Sequence, residues 1–184
     1  MKKNRISMVA AICAAGALLS GCETTNSIPY KASPANIIAI QQSLQSKKVS
    51  VGDIGMAPGL DESLLCRLMG PVKVAPGKTL SQYIKDAFQE ELLTAQAYDV
   101  KGVPIEGRIE ALSFSSVSPA YWQITMSVKS PADSGYTVSI KYPFDTSFTA
   151  MGACKNVADA FGPAVQELIR QVVTNPKFPA LSGQ

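Results

Sequence analysis

The chain has 184 residues, of which 46% are hydrophobic, and it carries a formal net charge of +3 with no histidine. Without histidine the chain cannot form a Ser–His or a Cys–His catalytic pair, and it cannot form a His-ligated zinc site. Three of the 17 basic residues are Lys2, Lys3 and Arg5, so 14 basic residues remain against 14 acidic ones. That balance argues against a nucleic-acid partner, because binding to phosphates needs clustered positive charge.

Residues 1–21 have the pattern of a lipoprotein signal peptide. The basic start is followed by an uncharged stretch, Ile6–Leu19, which ends in the sequence Leu-Ser-Gly-Cys at positions 19–22. The apolar run is too short for a permanent membrane span. We expect cleavage before Cys22, whose thiol would then carry a diacylglycerol. An acyl chain on Cys22 is the only other attached group that we expect. The alternative is a plain secretory signal in which Cys22 is incidental.

The mature chain is predicted to be a tether followed by one domain. Residues 22–35 comprise the lipidated cysteine and a polar segment that Pro29 and Pro34 stiffen. Residues 36–184 are long enough for a single domain with a full-sized core.

Two cysteines remain once Cys13 leaves with the signal peptide and Cys22 is acylated. Cys66 and Cys154 are expected to pair, because the exported compartment is oxidising. A bridge across 88 residues is worth about 4–5 kcal/mol on the chain-entropy model. Two buried free cysteines are the alternative, and no metal site is predicted.

The first half of the domain contains one clear helix. An apolar run at 36–40 and an alternating strand at 47–54 precede a Gly- and Pro-rich, irregular segment at 55–78. Thr79–Gln96 then has a capping box at its start and one apolar face. The pairs Lys85-Asp86 and Glu90-Glu91 are assigned to its opposite, polar side.

The second half predicts a sheet and another helix. Residues 104–118, 121–129 and 136–144 indicate an antiparallel meander. Residues 156–174 are helical, Gly162-Pro163 should kink or restart that helix, and Cys154 precedes it. The predicted class is α+β, a two-layer sandwich in which two helices pack on one face of a mainly antiparallel sheet.

Few residues suggest a catalytic site. Glu106 and Glu110 point to one side of a strand and could act as an acid–base pair on a glycan, although charges alternating along a solvated sheet face are commoner. We therefore predict no catalytic residue, no metal ligand and no enzyme activity.

The aromatic residues allow two interpretations. Trp122 belongs to the core, or it forms with Phe114 and Tyr121 a surface for a ligand or partner. The stretch Ser113–Ser116 is a candidate open strand edge that could accept a partner's strand.

Two segments carry a family resemblance. The sequence from Tyr83 to Tyr98, followed by that from Ile105 to Leu112, resembles the YajG-like lipoproteins and the auxiliary lipoproteins of ABC-type transport systems. Gln96 stands where that pattern often has glycine. The resemblance implies a compact α+β domain with no catalytic residue, in a Gram-negative envelope.

Sorting in that envelope depends partly on the residue after the lipidated cysteine. Because Glu23 follows Cys22, we expect the periplasmic face of the outer membrane, with the inner membrane as the alternative. The expected function is that of an accessory lipoprotein that binds another envelope protein. A lipoprotein that holds a lipid, glycan or small molecule between helix and sheet is the second hypothesis, and a hydrolase using Glu106 and Glu110 is the third.

Overall fold

The computed structural model describes residues 28–183 and the backbone of Thr24 and Thr25; the predicted signal peptide and Cys22 lie outside the described residues. The elements in chain order are β1 (Thr24–Thr25), α1 (Pro34–Leu44), β2 (Val49–Met56), β3 (Val72–Lys73), α2 (Leu80–Thr94), β4 (Val103–Ser115), β5 (Ala120–Lys129), β6 (Tyr136–Phe144), α3 (Ala150–Val173) and a 3-10 helix (Pro179–Ser182). None of the described helices is both long enough and apolar enough to cross a bilayer.

The main sheet has the strand order β2-β4-β5-β6. Strands β4, β5 and β6 form the predicted antiparallel meander, whereas β2 pairs with β4 in parallel through the crossover helix α2. Two residues of β1 pair in parallel with β3 in a separate small sheet. The predicted α+β class, with helices packed against a mainly antiparallel sheet, is confirmed.

Helix α2 begins as the sequence predicts. The Thr79 side chain accepts a hydrogen bond from the Gln82 amide, and the Gln82 side chain accepts one from the Thr79 amide. The two bonds satisfy amides that have no partner within the first turn. The inward face of α2 is buried against the sheet and the other helices. Its buried residues are Leu80, Ser81, Tyr83, Ile84, Ala87, Phe88, Glu91 and Leu92.

Two helices differ from the prediction. The run at 36–40 is part of α1, which packs mainly on α2 and α3 and adds a third helix to the expected two. Helix α3 begins at Ala150, capped by Thr149, so Cys154 lies inside the helix and not before it. The helix does not restart at Pro163, because this proline lies on the exposed side, where water can bond the carbonyl it leaves free.

Hydrogen bonds attach the sheet to α3 at both ends of its buried face. Trp122 Nε1 donates to the carbonyl of Val157 at 2.8 Å, and the Tyr136 hydroxyl donates to that of Val172 at 2.6 Å. The core lies between these layers, while the other face of the sheet carries polar side chains. Helix and sheet are therefore held together by directional bonds as well as by apolar contact.

A register shift divides β4 into two halves. Its pairing with β5 is irregular between Ile109 and Ala111. Ile105 and Ile109 are buried before the shift, and Leu112 is buried after it, so the inward positions change from odd to even numbers. The ladder with β2 ends at Ile109, whose carbonyl accepts a hydrogen bond from the Ala57 amide at 2.8 Å.

Candidate functional site

A disulfide between Cys66 and Cys154 fixes the loop that follows β2 to the first turns of α3. The S–S distance is 2.03 Å, the Cα atoms are 5.8 Å apart, and both side chains are buried. The predicted pairing is confirmed. The bridge lies at one end of the sheet, where three connections meet: residues 57–71, which it fixes to α3, the β4–β5 turn and the segment before α3.

Arg67 joins the same three connections through neutral acceptors. Its Nε donates to Ser116 Oγ at 2.9 Å, its Nη1 to the carbonyl of Ser147 at 3.4 Å, and its Nη2 to the carbonyl of Ser116. The Thr146 hydroxyl donates to that same Ser116 carbonyl. The ion pairs found among the described residues all involve other side chains. Arg67 thus brings an uncompensated positive charge to this end of the molecule.

Exposed apolar side chains surround the disulfide and Arg67. Nine large hydrophobic side chains are exposed within the described residues; four of them lie on these three connections and a fifth, Met151, lies in the first turn of α3. We call these five the loop cluster: Leu65, Leu68, Val117, Phe148 and Met151. Exposed large hydrophobics are unremarkable singly, but a group of them on adjoining loops is typical of an interaction surface.

The backbone around Leu68 is held in an unusual conformation. Arg67 and Leu68 have φ values of 42° and 61°, in the left-handed region that non-glycine residues rarely adopt. The Met69 amide donates to the Cys66 carbonyl at 2.7 Å, and the Cys66 amide donates to that of Gly70 at 3.1 Å. Strain of this kind persists only where the surroundings impose it. The turn therefore presents Leu68 to solvent in a fixed position.

A groove of about 450 Å³ runs between this loop and β4. One wall consists of Leu64, Leu65 and Arg67, and the other is the stretch 113–117 at the end of β4. The sequence-predicted strand edge, Ser113–Ser116, therefore lines a groove. Because β2 stops pairing at Ile109, no described strand lies on this side of β4 beyond that point.

The three aromatic residues proposed as a surface are separated by the fold. Trp122 is fully buried, with its ring centroid 5.0 Å from that of Phe114 and 4.9 Å from that of Phe161. It therefore contributes to the core and not to a surface. Phe114 is partly buried and lines the groove, whereas Tyr121 lies on the outer face, where Lys141 Nζ is 4.0 Å from its ring centroid.

The arrangement of Glu106 and Glu110 does not favour acid–base catalysis. Glu106 pairs with Lys129 at 3.2 Å, and Glu110 accepts hydrogen bonds from Arg108 at 2.8 Å and from Ser127 at 2.7 Å. The bond from Arg108, followed by that from Ser127, lowers the pKa of Glu110. A general acid needs the opposite shift, since it must stay protonated near neutral pH.

A buried carboxylate holds the segment that leads into the domain. Glu91 Oε1 accepts hydrogen bonds from the Tyr30 hydroxyl at 2.7 Å, the Ser33 amide at 2.9 Å and Asn36 Nδ2 at 3.0 Å. Burial, and then the bond to Glu91, raise the pKa of Tyr30. Tyr30 and Ser33, inside the expected tether 22–35, thus lie against the domain. Glu91, assigned to the polar side of α2, is fully buried.

A second groove lies beside this attachment. It measures about 520 Å³ and lies between residues 28–30, residues 74–78 and helix α2, with Tyr83 in its lining. The fully buried aromatic residues Trp122 and Phe88, on the sheet and on α2, line neither this groove nor the one beside β4. In the described part of the chain, no group of three or more Cys, Asp or Glu side chains is placed to hold a metal ion.

Neither Arg67 nor the loop cluster is predicted by the sequence pattern. Four of the five residues of the cluster lie on connections, and connections have no periodicity to reveal an exposed residue. Glu91 could have been recognised: it comes three residues after Phe88 and seven after Ile84, on the buried face of a 3.6-residue helix.

Comparisons with known proteins support the fold. No protein-family model matches the sequence, and no curated protein is similar to it. Among solved structures, the chain is similar to protein XCC0632 from Xanthomonas campestris, whose description gives the family model DUF330. The TM-score is 0.51 at 11% identity, over 82% of this chain and 94% of that one. At this identity the two proteins share a fold, and the comparison does not single out YajG-like lipoproteins.

Proposed function

We propose that this chain is a lipid-anchored accessory lipoprotein that binds another protein of the cell envelope and has no catalytic activity. The loop cluster is the observation that carries the proposal, because it gathers five exposed apolar side chains on three connections and the adjoining first turn of α3, which a disulfide and Arg67 hold together. A surface that is already ordered loses less conformational entropy on binding, so more of its apolar contact becomes affinity.

The anchor in this proposal is the acylated Cys22. Five residues, 23–27, lie between it and Ile28, the first residue of the continuous described segment, and the bonds to Glu91 hold the chain from Tyr30 onward against the domain. A short attachment of this kind would keep the domain close to the lipid surface. The periplasmic face of the outer membrane is the proposed location, with the inner membrane as the alternative, and the resemblance to YajG-like and transport-associated lipoproteins agrees with such an accessory role.

Photo-crosslinking in intact cells tests the proposal. A photoreactive amino acid is placed at Leu68 or Phe148 in the full-length, lipid-anchored chain, and at Val100 as a control. All three side chains are well exposed, but Val100 lies outside the loop cluster. We expect one discrete protein adduct from positions 68 and 148 and none from position 100. The same adducts from all three positions, or no adduct from positions 68 and 148, would contradict the proposal.

A ligand-binding lipoprotein is the second candidate, and the groove beside Tyr83 is the observation that favours it. A lipid or other apolar molecule held there would contact Ala87 on α2 and Val74 on the opposite wall. Native mass spectrometry of the protein extracted from membranes would show a bound mass that is lost in an Ala87→Trp variant. An unliganded mass in the unmodified protein would eliminate this candidate.

A further inference from the structure

We propose that the groove beside the second half of β4 binds an extended segment of the partner protein as an added β-strand, with an acidic side chain of that segment against Arg67. The inference rests on the proposed function and specifies how the partner is held. The chemical class of the occupant is a polypeptide in β conformation that carries a carboxylate.

The backbone of β4 supports this mode of binding. Side-chain direction and hydrogen-bond direction both alternate with a period of two along a strand. Ile109 has a buried side chain, and its carbonyl bonds to Ala57 on the β2 side. Leu112 and Phe114 face the core in the same way, so their amides and carbonyls also point to that side. No described residue forms a backbone hydrogen bond with them there.

Arg67 marks the far end of this unpaired edge. The next carbonyl in the row belongs to Ser116, and it accepts the hydrogen bond from Arg67 Nη2. The unpaired edge therefore runs from the Ala57 contact to the Arg67 contact, over seven residues or about 23 Å at roughly 3.3 Å per residue. This length leaves room for a strand of three to five residues. The edge carries the amides and carbonyls of Leu112 and Phe114, of which Phe114 lines the groove.

The walls of the groove select the side chains of such a strand. Leu65 and Val117 are 70% and 61% exposed and would cover apolar side chains on alternate positions. Arg67 has five N–H donors, of which three are used, all on neutral oxygens. A carboxylate would meet the free donors and compensate the charge, whereas an ammonium group would be repelled.

Amide hydrogen exchange of the mature chain tests the inference with a defined probe. The probe is a seven-residue peptide in which valine alternates with glutamate and both ends are capped. In the free protein we expect the amides of Leu112 and Phe114 to exchange faster than those of Ser113 and Ser115, which face β5. Peptide at about 1 mM should slow Leu112 and Phe114 at least tenfold, a change worth about 1.4 kcal/mol.

Three controls identify the interaction. Methylation of alternate peptide amides should abolish the protection by removing the donors. Lysine in place of glutamate should also abolish it, through repulsion by Arg67. Leu65→Asp in the protein should weaken it, whereas Val100→Asp, at an exposed position outside the groove, should not. Unchanged exchange at Leu112 and Phe114, or equal protection by the methylated peptide, would overturn the inference.

The test also separates this inference from the proposed function. If crosslinking at Leu68 yields a discrete adduct while the peptide leaves the β4 amides unprotected, the partner binds the loop cluster without adding a strand, and only the inference is overturned. If neither experiment gives its expected result, the proposed function fails as well.

Discussion

Tyr30 donates a 2.7 Å hydrogen bond to the carboxylate of Glu91, which is itself fully buried in α2. The two residues lie 61 positions apart, so this bond ties the first residues of the continuous described segment to helix α2. The other carboxylate oxygen of Glu91 has no partner among the described residues. The Glu91 carboxylate thus positions the segment that leads into α1.

Removal of the Glu91 carboxylate should destabilise the folded protein. Glu91→Ala leaves three donors without their acceptor and should lower the free energy of unfolding by about 2–4 kcal/mol, whereas Glu91→Gln keeps an acceptor and should cost about 1 kcal/mol. Hydrogen exchange at Ser33 should accelerate strongly in the alanine variant. Glu90→Ala, at the exposed neighbouring position, is the matched control. Equal effects of Glu90→Ala and Glu91→Ala would refute this account of the attachment.

The disulfide predicts a large loss of stability on reduction. The bridge closes an 88-residue separation, so its removal should lower the free energy of unfolding by about 4–5 kcal/mol. Chemical denaturation with and without a reductant measures this loss. A variant with Cys66→Ser and Cys154→Ser should match the reduced protein and not respond to the reductant. A reductant-insensitive wild-type protein would show that the bridge does not form.

The hydroxyl of Tyr83 predicts a coupling with Gly162. The hydroxyl is buried without a partner among the described residues, and a Cβ at position 162 would come within 2.9 Å of it. Tyr83→Phe should therefore leave stability unchanged or raise it by up to about 1 kcal/mol. Gly162→Ala should destabilise the wild-type protein by about 1–2 kcal/mol through overpacking.

In the Tyr83→Phe background the same alanine should stabilise α3 by about 0.5–1 kcal/mol, because the clash is gone and alanine favours a helix over glycine. Denaturation of the four proteins gives the coupling energy. Additive effects would show that the hydroxyl does not face Gly162.

Tyr83 also predicts an alkaline loss of stability. Burial, and then the nearby charge of Glu90, raise the pKa of this phenol to about 12 from its ordinary value of 10.0. The folded state holds the phenol proton more tightly than the unfolded state does. The contribution of Tyr83 to the free energy of unfolding is therefore complete below pH 10 and is lost as the pH rises to about 12. The difference corresponds to roughly 2–3 kcal/mol at most. Wild-type protein should lose that much more stability than Tyr83→Phe across this range; parallel pH profiles would contradict the assignment.

Much of the architecture follows from the periodicity of apolar residues and from the side chains that cap helices. The capping box of Thr79 and Gln82, and the alternation from Tyr121 to Lys129, specify α2 and β5 almost to the residue. Helix α1 is not predicted, because its apolar run at 36–40 is short and Pro34, a favourable first helical residue, falls within the predicted tether. The parallel pairing of β2 was not predictable from alternation, since both pairing directions share the same period.

The candidate site was predicted only in part. The pairing of Cys66 with Cys154 and the open edge at Ser113–Ser116 follow from the sequence, because compartment and composition constrain them. The position of Arg67 between Ser116 and Ser147 depends on three connections meeting in space. Such a contact has no signature in a single sequence.

The lipid anchor makes its own prediction at Cys22. Cells given a clickable fatty acid should label the wild-type chain, whereas Cys22→Ala should abolish the label and release the protein from the membrane fraction. Cys13→Ala, within the predicted signal peptide, should remain labelled. Full labelling of Cys22→Ala would exclude this thiol as the acylation site.

The central claim is that the anchored chain binds an envelope protein through the loop cluster. Affinity purification after crosslinking of intact cells, with quantitative mass spectrometry, compares the wild-type chain with a Leu68→Asp, Phe148→Asp variant and with Val100→Asp. We predict one envelope protein that is recovered equally with wild type and Val100→Asp, and at least tenfold less with the cluster variant. Equal recovery of every envelope protein by all three chains would contradict the claim.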